Sequence, residues 1–356
     1  MIIESLAARA VNVPLEYPVR TSVGTVATAP LVLIDIATDA GFVGRSYVFT
    51  YTPLALAAMR EMLASLGGIL AGQPAAPAEI DRLLEGRFRL LGATGLVRMA
   101  MAGIDMALWD AAAQKLGVPL VEMLGGRRRP IPAYDSHSMD GEALAVERAA
   151  KAAGQGYTAI KTKVGYPSLA EDIGVVRAIR KAVGDGVRIL ADYNQSLSVP
   201  EAIRRGKALE DEGVAWLEEP TRQEDYLGHA RIRQALNIPV QMGENWFGVD
   251  EMTRALDAGA TALAMPDAMK IGGVTGWLRA AALAQSRGIP MSSHIFQEVS
   301  CHLMAVTPTA HLLERMDLAA PILEEPLKFE AGCAIIPEQP GTGIRWNEEA
   351  VRRYAH

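Results

Sequence analysis

The stretch Ala159-Ile-Lys-Thr-Lys163 places two lysines two residues apart at the end of a short apolar run. Such a run predicts a β-strand, and the two-residue period of a strand puts Lys161 and Lys163 on one face. Two neighbouring ammonium groups disfavour each other's charged form, so we expect at least one to have a lowered pKa. A lysine that loses its proton near neutral pH is a candidate base. Taken alone, these five residues favour the alternative of a solvated lysine pair at a strand end.

Strand and helix patterns alternate from about residue 131 onwards. The predicted strands are Ile131 to Asp135, Ala159 to Lys163, Val187 to Asp192, Val214 to Glu218, Pro239 to Met242, Ala262 to Met265 and Ile289 to Ser292. The predicted helices between them include Asp172 to Val183, Pro200 to Glu212, Asp250 to Ala258 and Thr275 to Arg287. This alternation favours a parallel sheet with helical crossovers. The number of units favours a (β/α)8-type barrel, with an open doubly wound sheet as the alternative.

Polar residues lie at the C-terminal ends of these strands, about one strand-and-helix unit apart. They are Lys163, Asp192 with Asn194, Glu218, Glu244, Asp267 and His294. In a barrel they would surround one mouth, where the active sites of such barrels lie. Each residue alone has an ordinary explanation, such as a helix cap or a surface ion pair. Their coincidence on successive units favours a functional site.

The residue types indicate the chemistry. Asp192, Glu218 and Glu244 offer three oxygen ligands without cysteine or histidine, which is the pattern that Mg²⁺ prefers. Asp267 would fix the tautomer of His294 and raise its pKa, so this histidine is a candidate acid or base near neutral pH. With Lys163 before the metal ligands and His294 after them, two bases would flank one substrate. Such a pair can remove a proton from one face of a carbon and return one to the other.

Proton removal beside a carboxylate creates a doubly charged enediolate, which needs strong electrostatic stabilisation. Mg²⁺ and Lys161 would supply positive charge. Glu314, in Leu312-Leu-Glu-Arg where the eighth strand is expected to end, is the candidate for a protonated acid that donates a hydrogen bond.

The N-terminal part shows a different pattern, with strands first and helices after them. Strands are predicted at Leu6 to Pro14, Leu31 to Ala37 and Phe42 to Phe49, with Tyr17 to Val26 as either a mobile loop over the active site or a plain surface loop. Helices are predicted from Thr52 to Leu66, Ala78 to Arg87 and Gly95 to Gly117. The run from Gly125 to Pro130 indicates a boundary.

Composition narrows the class of protein. The 356 residues are half apolar, about a fifth charged, and carry a net charge of −6, so neither nucleic acid nor an anionic membrane is an expected partner. Cys301 and Cys333 form no metal or disulfide pattern, as in a reducing compartment. With no signal-peptide pattern and no apolar run of about 18 residues, we expect a cytoplasmic protein.

These motifs together resemble the mandelate racemase family of the enolase superfamily over nearly the whole chain. The matching motifs are Tyr134-Asp-Ser-His-Ser, Lys161-Thr-Lys163, Asp192-Tyr-Asn-Gln-Ser, Glu218-Glu-Pro, Gln241-Met-Gly-Glu-Asn-Trp246, Met265-Pro-Asp-Ala-Met-Lys-Ile-Gly-Gly273, Ser292-Ser-His294, Thr21-Ser-Val-Gly-Thr-Val26 and Tyr51-Thr-Pro. The resemblance implies an α/β fold with three parts. An α+β capping domain (1–128) carries a substrate lid loop (about 17–30), a modified (β/α)7β TIM-type barrel spans 129–316, and a C-terminal segment (317–356) returns to the cap.

The resemblance also implies roles for individual residues. Lys163 would act on the (S)-enantiomer of the substrate, and His294, held by Asp267, on the (R)-enantiomer. Lys161 would bind the substrate carboxylate and lower the pKa of its neighbour, Asn194 would contact the α-hydroxyl, and Glu314 would face the carboxylate. Further substrate-binding residues would be Ser136, Val19, Val23, Val26, Tyr51, Ile295 and Met316, with Lys270 behind them. The resemblance suggests a homo-octamer.

The expected function is that of a Mg²⁺-dependent racemase of (R)- and (S)-mandelate or a related aromatic 2-hydroxy carboxylate. The chain departs from the family pattern at four positions, with Arg20 in place of His, Arg89 in place of Cys, and Ile295 and Met316 each in place of Leu. The last two would change the shape of the pocket. The alternatives are an acid-sugar dehydratase, which the apolar lid valines disfavour, and a catalytically silent barrel, which would be expected to have lost a ligand or a base.

Overall fold

The structure is a computed structural model that describes residues 1–356. The N-terminal part forms a three-stranded antiparallel sheet of β1 (Ile3–Thr21), β2 (Gly24–Thr38) and β3 (Val43–Phe49), in the order β1-β2-β3. The apolar run from Leu31 to Ile34 is fully buried in the central strand. It can be apolar throughout because both faces of this strand are covered.

The segment predicted as a loop, Tyr17 to Val26, is instead the extended end of the β1–β2 hairpin. Val19 pairs with Val26 and Thr21 with Gly24, so the turn itself is only Ser22 and Val23. The Thr21 hydroxyl accepts hydrogen bonds from the backbone of both Val23 and Gly24, each at 3.1 Å. The β-branched residues of the segment from Tyr17 to Val26 favour the strand conformation. Pro18 and Gly24, which are more common in loops, made this strand hard to predict from the sequence.

Four helices complete the cap. They are α1 (Leu56–Leu70), α2 (Pro77–Arg87), α3 (Gly95–Leu116) and α4 (Leu120–Met123), with a 3-10 turn (Pro53–Ala55) before α1. Thr52 caps this turn as predicted, since its side chain accepts a hydrogen bond from the Leu54 amide. Residues 53–70 are long and apolar enough to cross a membrane by length and composition alone. However, the apolar stripe of α1, from Leu56 to Leu70, is buried in the core of the cap, as in an ordinary amphipathic helix.

Residues 131–315 form the barrel. Its parallel strands are β4 (Ile131–Ser136), β5 (Ala159–Lys163), β6 (Arg188–Asp192), β7 (Trp216–Glu218), β8 (Val240–Met242), β9 (Leu263–Ala264) and β10 (Leu313–Arg315). The helices that follow these strands are α5 (Gly141–Gly154), α6 (Leu169–Val183), α7 (Val199–Asp211), α8 (Tyr226–Ala235), α9 (Val249–Asp257), α10 (Ala268–Ile271), α11 (Gly273–Arg287) and α12 (Gln297–Val306). The sheet closes because β10 pairs in parallel with β4 and because bridges through Met291 link β9 to the segment before β10, so the open-sheet alternative is excluded. The predicted modified (β/α)7β barrel is confirmed.

The predicted strand from Ile289 to Ser292 is reduced to single bridges. Met291 bridges Ala264 on one side and Ala310 on the other. Pro290 has no N–H to donate, which limits the ladder at this position. The barrel therefore keeps eight strand positions, one of them minimal.

The C-terminal segment first extends the barrel sheet and then returns to the cap. Strands β11 (Lys328–Glu330) and β12 (Cys333–Ile335) form a hairpin that lies antiparallel to β4. After α13 (Glu348–Arg353), the backbone of Tyr354 accepts a hydrogen bond of 2.8 Å from Asn12 in β1. The pairing with the barrel was not predicted from the sequence.

Asp105 joins the cap to the barrel. It lies on α3 and is 3% exposed. Its carboxylate accepts hydrogen bonds from the Thr275 backbone (3.0 Å) and hydroxyl at the start of α11. Gly273 passes so close that an added Cβ would lie 2.3 Å from the Asp105 carboxylate, at a φ of +71°. This contact explains the glycine of that motif.

We expect Asp105→Asn to remove a pH dependence of stability. Burial raises the pKa of Asp105 to about 7, and the hydrogen bonds from Thr275 only partly offset this. The unfolded carboxyl titrates near 4, so the unfolded state loses its proton first and the folded protein is destabilised as pH rises from about 4 to 7, by about 1.4 kcal/mol per pH unit at most. Urea unfolding at pH 5, 6 and 7 should show the variant gaining on the parent with rising pH. The exposed Asp250→Asn is the control, and parallel profiles for Asp105→Asn and the parent would contradict the assignment.

Candidate active site

The predicted site residues meet at the C-terminal ends of the barrel strands. They do so because inward positions of a strand recur every two residues. An apolar layer that includes Ala159, Leu190 and Trp216 fills the barrel. Two residues further along the same strands come Lys161, Asp192 and Glu218, which are buried directly above that layer.

Three carboxylates form the floor of the site. Asp192, Glu218 and Glu244 are 0%, 0% and 7% exposed. One oxygen of each lies within 4.8 Å of the others. The register between β6 and β7 pairs Asp192 directly with Glu218. Three buried carboxylate oxygens without a nitrogen or sulfur ligand suit Mg²⁺.

Both lysines contact these carboxylates. Lys161 Nζ lies 2.7 Å from Glu218 Oε1 and 2.8 Å from Glu314 Oε1. Lys163 Nζ lies 2.6 Å from Asp192 Oδ2. Lys161 and Lys163 are only 1% and 5% exposed. The alternative of a solvated lysine pair is therefore wrong.

The expected lowering of a lysine pKa does not occur in the protein alone. Burial lowers the pKa of Lys163 and so does Lys161, as predicted, but the Asp192 carboxylate outweighs both and the net pKa is raised. The pKa of Lys161 is raised because Glu218 and Glu314 outweigh its burial. The lowered pKa was expected from the two lysines alone, whereas the carboxylates beside them determine the direction of both shifts.

The cluster has an excess of negative charge. Four carboxylates, Asp192, Glu218, Glu244 and Glu314, share two ammonium groups. Burial together with the neighbouring carboxylates raises the pKa of Glu218 well above its ordinary value. A buried cluster of this kind is stabilised by a divalent cation, so the donor set and its charge both fit Mg²⁺.

His294 contacts carboxylates through both ring nitrogens. Its Nδ1 lies 2.7 Å from Asp267 Oδ2, and its Nε2 lies 3.3 Å from Glu244 Oε2. The other Asp267 oxygen accepts the Met269 amide at the start of α10, which fixes the carboxylate. Burial lowers the pKa of His294, but Glu244, Asp267 and Glu314 outweigh it and the pKa is raised, as predicted. The Nδ1 bond leaves Nε2 as the nitrogen that faces the pocket.

The backbone after His294 is strained. Ile295 and Phe296 have φ angles of +35° and +47°. Each such residue costs about 1–3 kcal/mol, so this turn persists only because its surroundings impose it. The Ile295 amide donates a 2.9 Å hydrogen bond to Glu314 Oε2, which ties the turn to the end of β10.

Glu314 differs from its predicted state. Burial raises the pKa of its carboxyl, but Lys161 and His294 outweigh this effect, and the net pKa is lowered far below the ordinary range. In the protein alone this shift favours an ionised Glu314 paired with Lys161, which differs from the predicted protonated acid. The sequence placed Glu314 correctly at the end of the eighth strand and could not show these two cations.

A pocket of about 530 Å³ lies above the floor. Its polar wall includes Lys163, Asn194, Glu244, His294 and Glu314. Asn194 has a φ of +43°, and its buried Oδ1 has no hydrogen-bond partner. That oxygen is free to bond to a ligand in the pocket.

The other wall of the pocket is apolar. It contains six predicted residues, which are Val19, Val23, Val26, Tyr51, Ile295 and Met316. It also contains residues that were not predicted, namely Leu15, Phe49, Leu96, Met99, Phe247 and Leu318. The helical spacing of Leu96 and Met99 indicated only core packing, because their contact with the barrel depends on how the cap docks.

Ser136 lies apart from this pocket. It lines a separate cavity of about 80 Å³, which shares Leu15, Val19 and Met316 with the main pocket. Its hydroxyl is buried and has no hydrogen-bond partner. The strand register places Ser136 beside Lys161, below the level of the other pocket residues.

Of the polar network behind the carboxylates, only Lys270 was predicted. Asn245 Nδ2 donates to both oxygens of Glu219, at 2.9 and 3.0 Å, and Lys270 Nζ donates to Asn245 Oδ1 at 2.6 Å. Lys270 Nζ also lies 4.3 Å from the ring centre of Tyr51 in the cap. For Glu219 and Asn245, the only sequence signal was that each directly follows a predicted ligand.

Two family models match the chain. Residues 3–125 match the N-terminal domain of the mandelate racemase / muconate lactonizing enzyme family. Residues 144–350 match the enolase C-terminal domain-like family. Together they cover nearly all of the cap and most of the barrel.

Two solved structures match over the full fold, and a curated relative matches over most of it. The crystal structure of an enolase from Bradyrhizobium complexed with magnesium and mandelic acid is 45% identical, with a TM-score of 0.95 over 100% of this chain and 98% of that chain. An enolase from alpha proteobacterium BAL199 with bound magnesium is 40% identical, with a TM-score of 0.96 over 100% and 99%. The L-talarate/galactarate dehydratase of Salmonella typhimurium is 33% identical over 74% of this chain and 67% of its own length.

The buried carboxylate cluster, its charge excess and the magnesium in these neighbours agree with one another. The chain belongs to the mandelate racemase / muconate lactonizing enzyme family of the enolase superfamily and is a Mg²⁺-dependent enzyme.

Proposed function

We propose that this enzyme racemises mandelate, or a closely related aromatic 2-hydroxy acid, by a two-base proton transfer. The observation that carries the proposal is the placement of Lys163 and His294 on one pocket. They contact the carboxylate floor at different members, Lys163 at Asp192 and His294 at Glu244. A substrate bound above the floor would therefore meet a base on either side.

Racemisation requires opposite protonation states of the two bases. Lys163 is charged in the protein alone, and Mg²⁺ at Asp192 would engage the carboxylate that raises the pKa of this lysine, which favours its neutral form. For the (S)-enantiomer, neutral Lys163 Nζ then takes the α-proton and protonated His294 Nε2 returns a proton to the opposite face. For the (R)-enantiomer, neutral His294 Nε2 takes the proton and Lys163 Nζ returns one. Asp267 holds the imidazole and stabilises its charged form in both directions.

The remaining polar residues bind the substrate and stabilise the enediolate. Lys161 lies beneath the pocket, where its charge favours the substrate carboxylate and the enediolate. The free Oδ1 of Asn194 accepts the α-hydroxyl. Mg²⁺ held by Asp192, Glu218 and Glu244 would add the positive charge that the doubly charged enediolate needs. We assign Glu314 to the carboxylate side of the substrate, where Lys161 contacts it and where it would take up a proton to donate a hydrogen bond to the substrate carboxylate.

The substrate class rests on the apolar wall and on a neighbour. Three valines of the hairpin line the pocket together with Ile295 and Met316, and such an apolar lining suits an aromatic ring. The Bradyrhizobium enolase, 45% identical, was crystallised with mandelic acid.

An acid-sugar dehydratase is the second candidate, and the relationship to the Salmonella enzyme supports it. It would use the same proton abstraction and then expel a β-hydroxyl group. Several hydroxyls of a sugar acid would meet the apolar wall without hydrogen-bond partners, which is unfavourable. A catalytically silent barrel is disfavoured because every predicted base and ligand is present.

A substrate panel separates these functions. With Mg²⁺, each mandelate enantiomer should lose optical purity on chiral chromatography, and galactarate or glucarate should yield no 2-keto-3-deoxy product. Keto-acid formation from a sugar acid without racemisation of mandelate would establish the dehydratase instead. No reaction with either class would favour the silent barrel.

Met316→Leu should change substrate discrimination. Met316 lines the apolar wall, and leucine gives a shorter, branched side chain there. Shape changes of about one methylene alter discrimination by about 1–3 kcal/mol. We expect the ratio of kcat/KM for mandelate to kcat/KM for its 4-methyl analogue to change by roughly tenfold. The control is Leu54→Met, at a residue that is 91% exposed, and an unchanged ratio for Met316→Leu would show that this residue does not contact the ring.

A further inference from the structure

A buried pair of residues connects the cap to the strained turn after His294. Tyr47 on β3 is 2% exposed and Glu298 on α12 is 4% exposed. The Tyr47 hydroxyl donates a 2.6 Å hydrogen bond to Glu298 Oε2. The mechanism proposed above uses neither residue.

The ring of Tyr47 also contacts the turn directly. It stacks on Phe296 with ring centres 5.0 Å apart and planes 29° apart. Phe296 is the second left-handed residue of the turn and the cap residue of α12. The Ser300 hydroxyl donates to the Ile295 carbonyl at 3.0 Å, so the first turn of α12 holds the strained backbone from the C-terminal side.

We propose that Tyr47 is a positioning residue for His294, because its stacked ring and its bond to Glu298 hold the left-handed turn that aims the imidazole into the pocket. Two residues in a row with positive φ return to ordinary conformations unless neighbouring groups prevent it. The His294 side of the turn is fixed by Asp267 and Glu314, and the α12 side by Tyr47.

The end of β3, the strand that carries Tyr47, also contributes residues to the pocket wall. Phe49 follows Tyr47 at the two-residue period of β3, Tyr51 lies just beyond the end of the strand, and both line the apolar wall. This edge of the cap thus contacts both the substrate pocket and the turn that follows His294. Lys163 lies at the end of β5 and has no comparable contact with β3, so the proposal predicts an effect on one direction of proton transfer only.

Glu298 is an unusual residue to bury. Burial raises its pKa to about 7 and Asp317 adds to this, whereas the bond from Tyr47 favours the ionised carboxylate. Burying a carboxyl group costs free energy unless it is hydrogen-bonded. The bond from Tyr47 offsets part of that cost. Its placement in the first turn of the helix that follows His294 agrees with a role in holding that turn.

The test compares Tyr47→Phe with Ser46→Ala. Ser46 is its neighbour on β3, is also fully buried, and donates a 2.6 Å hydrogen bond to the Gly103 carbonyl on the opposite side of the strand. Each variant removes one buried hydrogen bond from the same strand. Only Tyr47→Phe should affect His294.

The first readout is α-proton exchange in D2O from each mandelate enantiomer with Mg²⁺, and it rests on the proposed function. Tyr47→Phe should slow exchange from the (R)-enantiomer by roughly tenfold, since small misplacements of a catalytic group have effects of up to about a hundredfold. Exchange from the (S)-enantiomer should stay within about twofold. Glu298→Gln, whose amide oxygen still accepts the Tyr47 hydroxyl, should remain close to the parent. Equal losses from both enantiomers would overturn the proposal.

The second readout needs no substrate. The imidazole N–H that donates to Asp267 should give a downfield proton resonance, assigned by its absence in His294→Asn. It should shift in Tyr47→Phe and not in Ser46→Ala. If the parent protein exchanges neither enantiomer, the proposed function fails while this readout still decides the role of Tyr47. Should Tyr47→Phe not fold, Phe296→Leu removes the ring stack instead, and an unshifted resonance in a folded Phe296→Leu would overturn the proposal.

Discussion

His294→Asn is expected to slow α-proton exchange from (R)-mandelate by about 10³-fold, while exchange from (S)-mandelate continues. The reason is that each base serves one face of the substrate. Asparagine is similar in shape to part of the imidazole but cannot take a proton. Lys163, at the other side of the carboxylate floor, would still remove the (S)-proton and exchange it with solvent.

Lys163→Ala should show the mirror image, with exchange from (S)-mandelate lost and exchange from (R)-mandelate retained. Racemisation itself should be lost in both variants, because it needs both bases. Lys151→Ala is a matched control, since Lys151 is an exposed lysine of α5 outside the main pocket. Loss of exchange from both enantiomers in either single variant would mean that one base serves both faces.

Removing the divalent cation should have an equally large effect. Dialysis against a chelator is expected to lower racemisation by at least about 10³-fold, because cation stabilisation of the enediolate contributes several kcal/mol. Added Mg²⁺ should restore activity. The cation should also raise the thermal stability of the protein, since a ligand that binds only the folded state at a hundred times its Kd adds about 2.7 kcal/mol.

The ligand assignment is tested by Asp192→Asn. Calorimetric titration with Mg²⁺ should show binding in the parent and a severe loss in the variant. The control is Glu224→Gln, a side chain that is 63% exposed and pairs only weakly with Arg222. Unchanged Mg²⁺ affinity in Asp192→Asn would exclude this residue as a ligand. Activity that survives complete removal of divalent cations would contradict the mechanism.

The barrel and its charged mouth could be predicted because they depend on short-range patterns. The strand from Ala159 to Lys163 has the bounds expected from the sequence. The spacing of one strand and one helix between polar residues, combined with parallel pairing, is sufficient to bring Asp192, Glu218 and Glu244 together.

Features that depend on contacts between distant parts were not predictable in this way. The lid segment was expected to be a loop, because proline and glycine are common in loops, yet cross-strand pairing of Val19 with Val26 makes it a hairpin. The protonation states of Lys163 and Glu314 are set by neighbours from other strands. The contact of Tyr47 with the turn after His294 joins residues about 250 positions apart, and no local pattern signals it.

The most direct test of the two-base account is proton NMR of enantiopure (R)- and (S)-mandelate in D2O with Mg²⁺, followed by chiral analysis. The account predicts that both enantiomers lose their α-proton signal and their optical purity, and that a chelator stops both. Exchange from only one enantiomer in the parent enzyme, or no exchange from either, would contradict it.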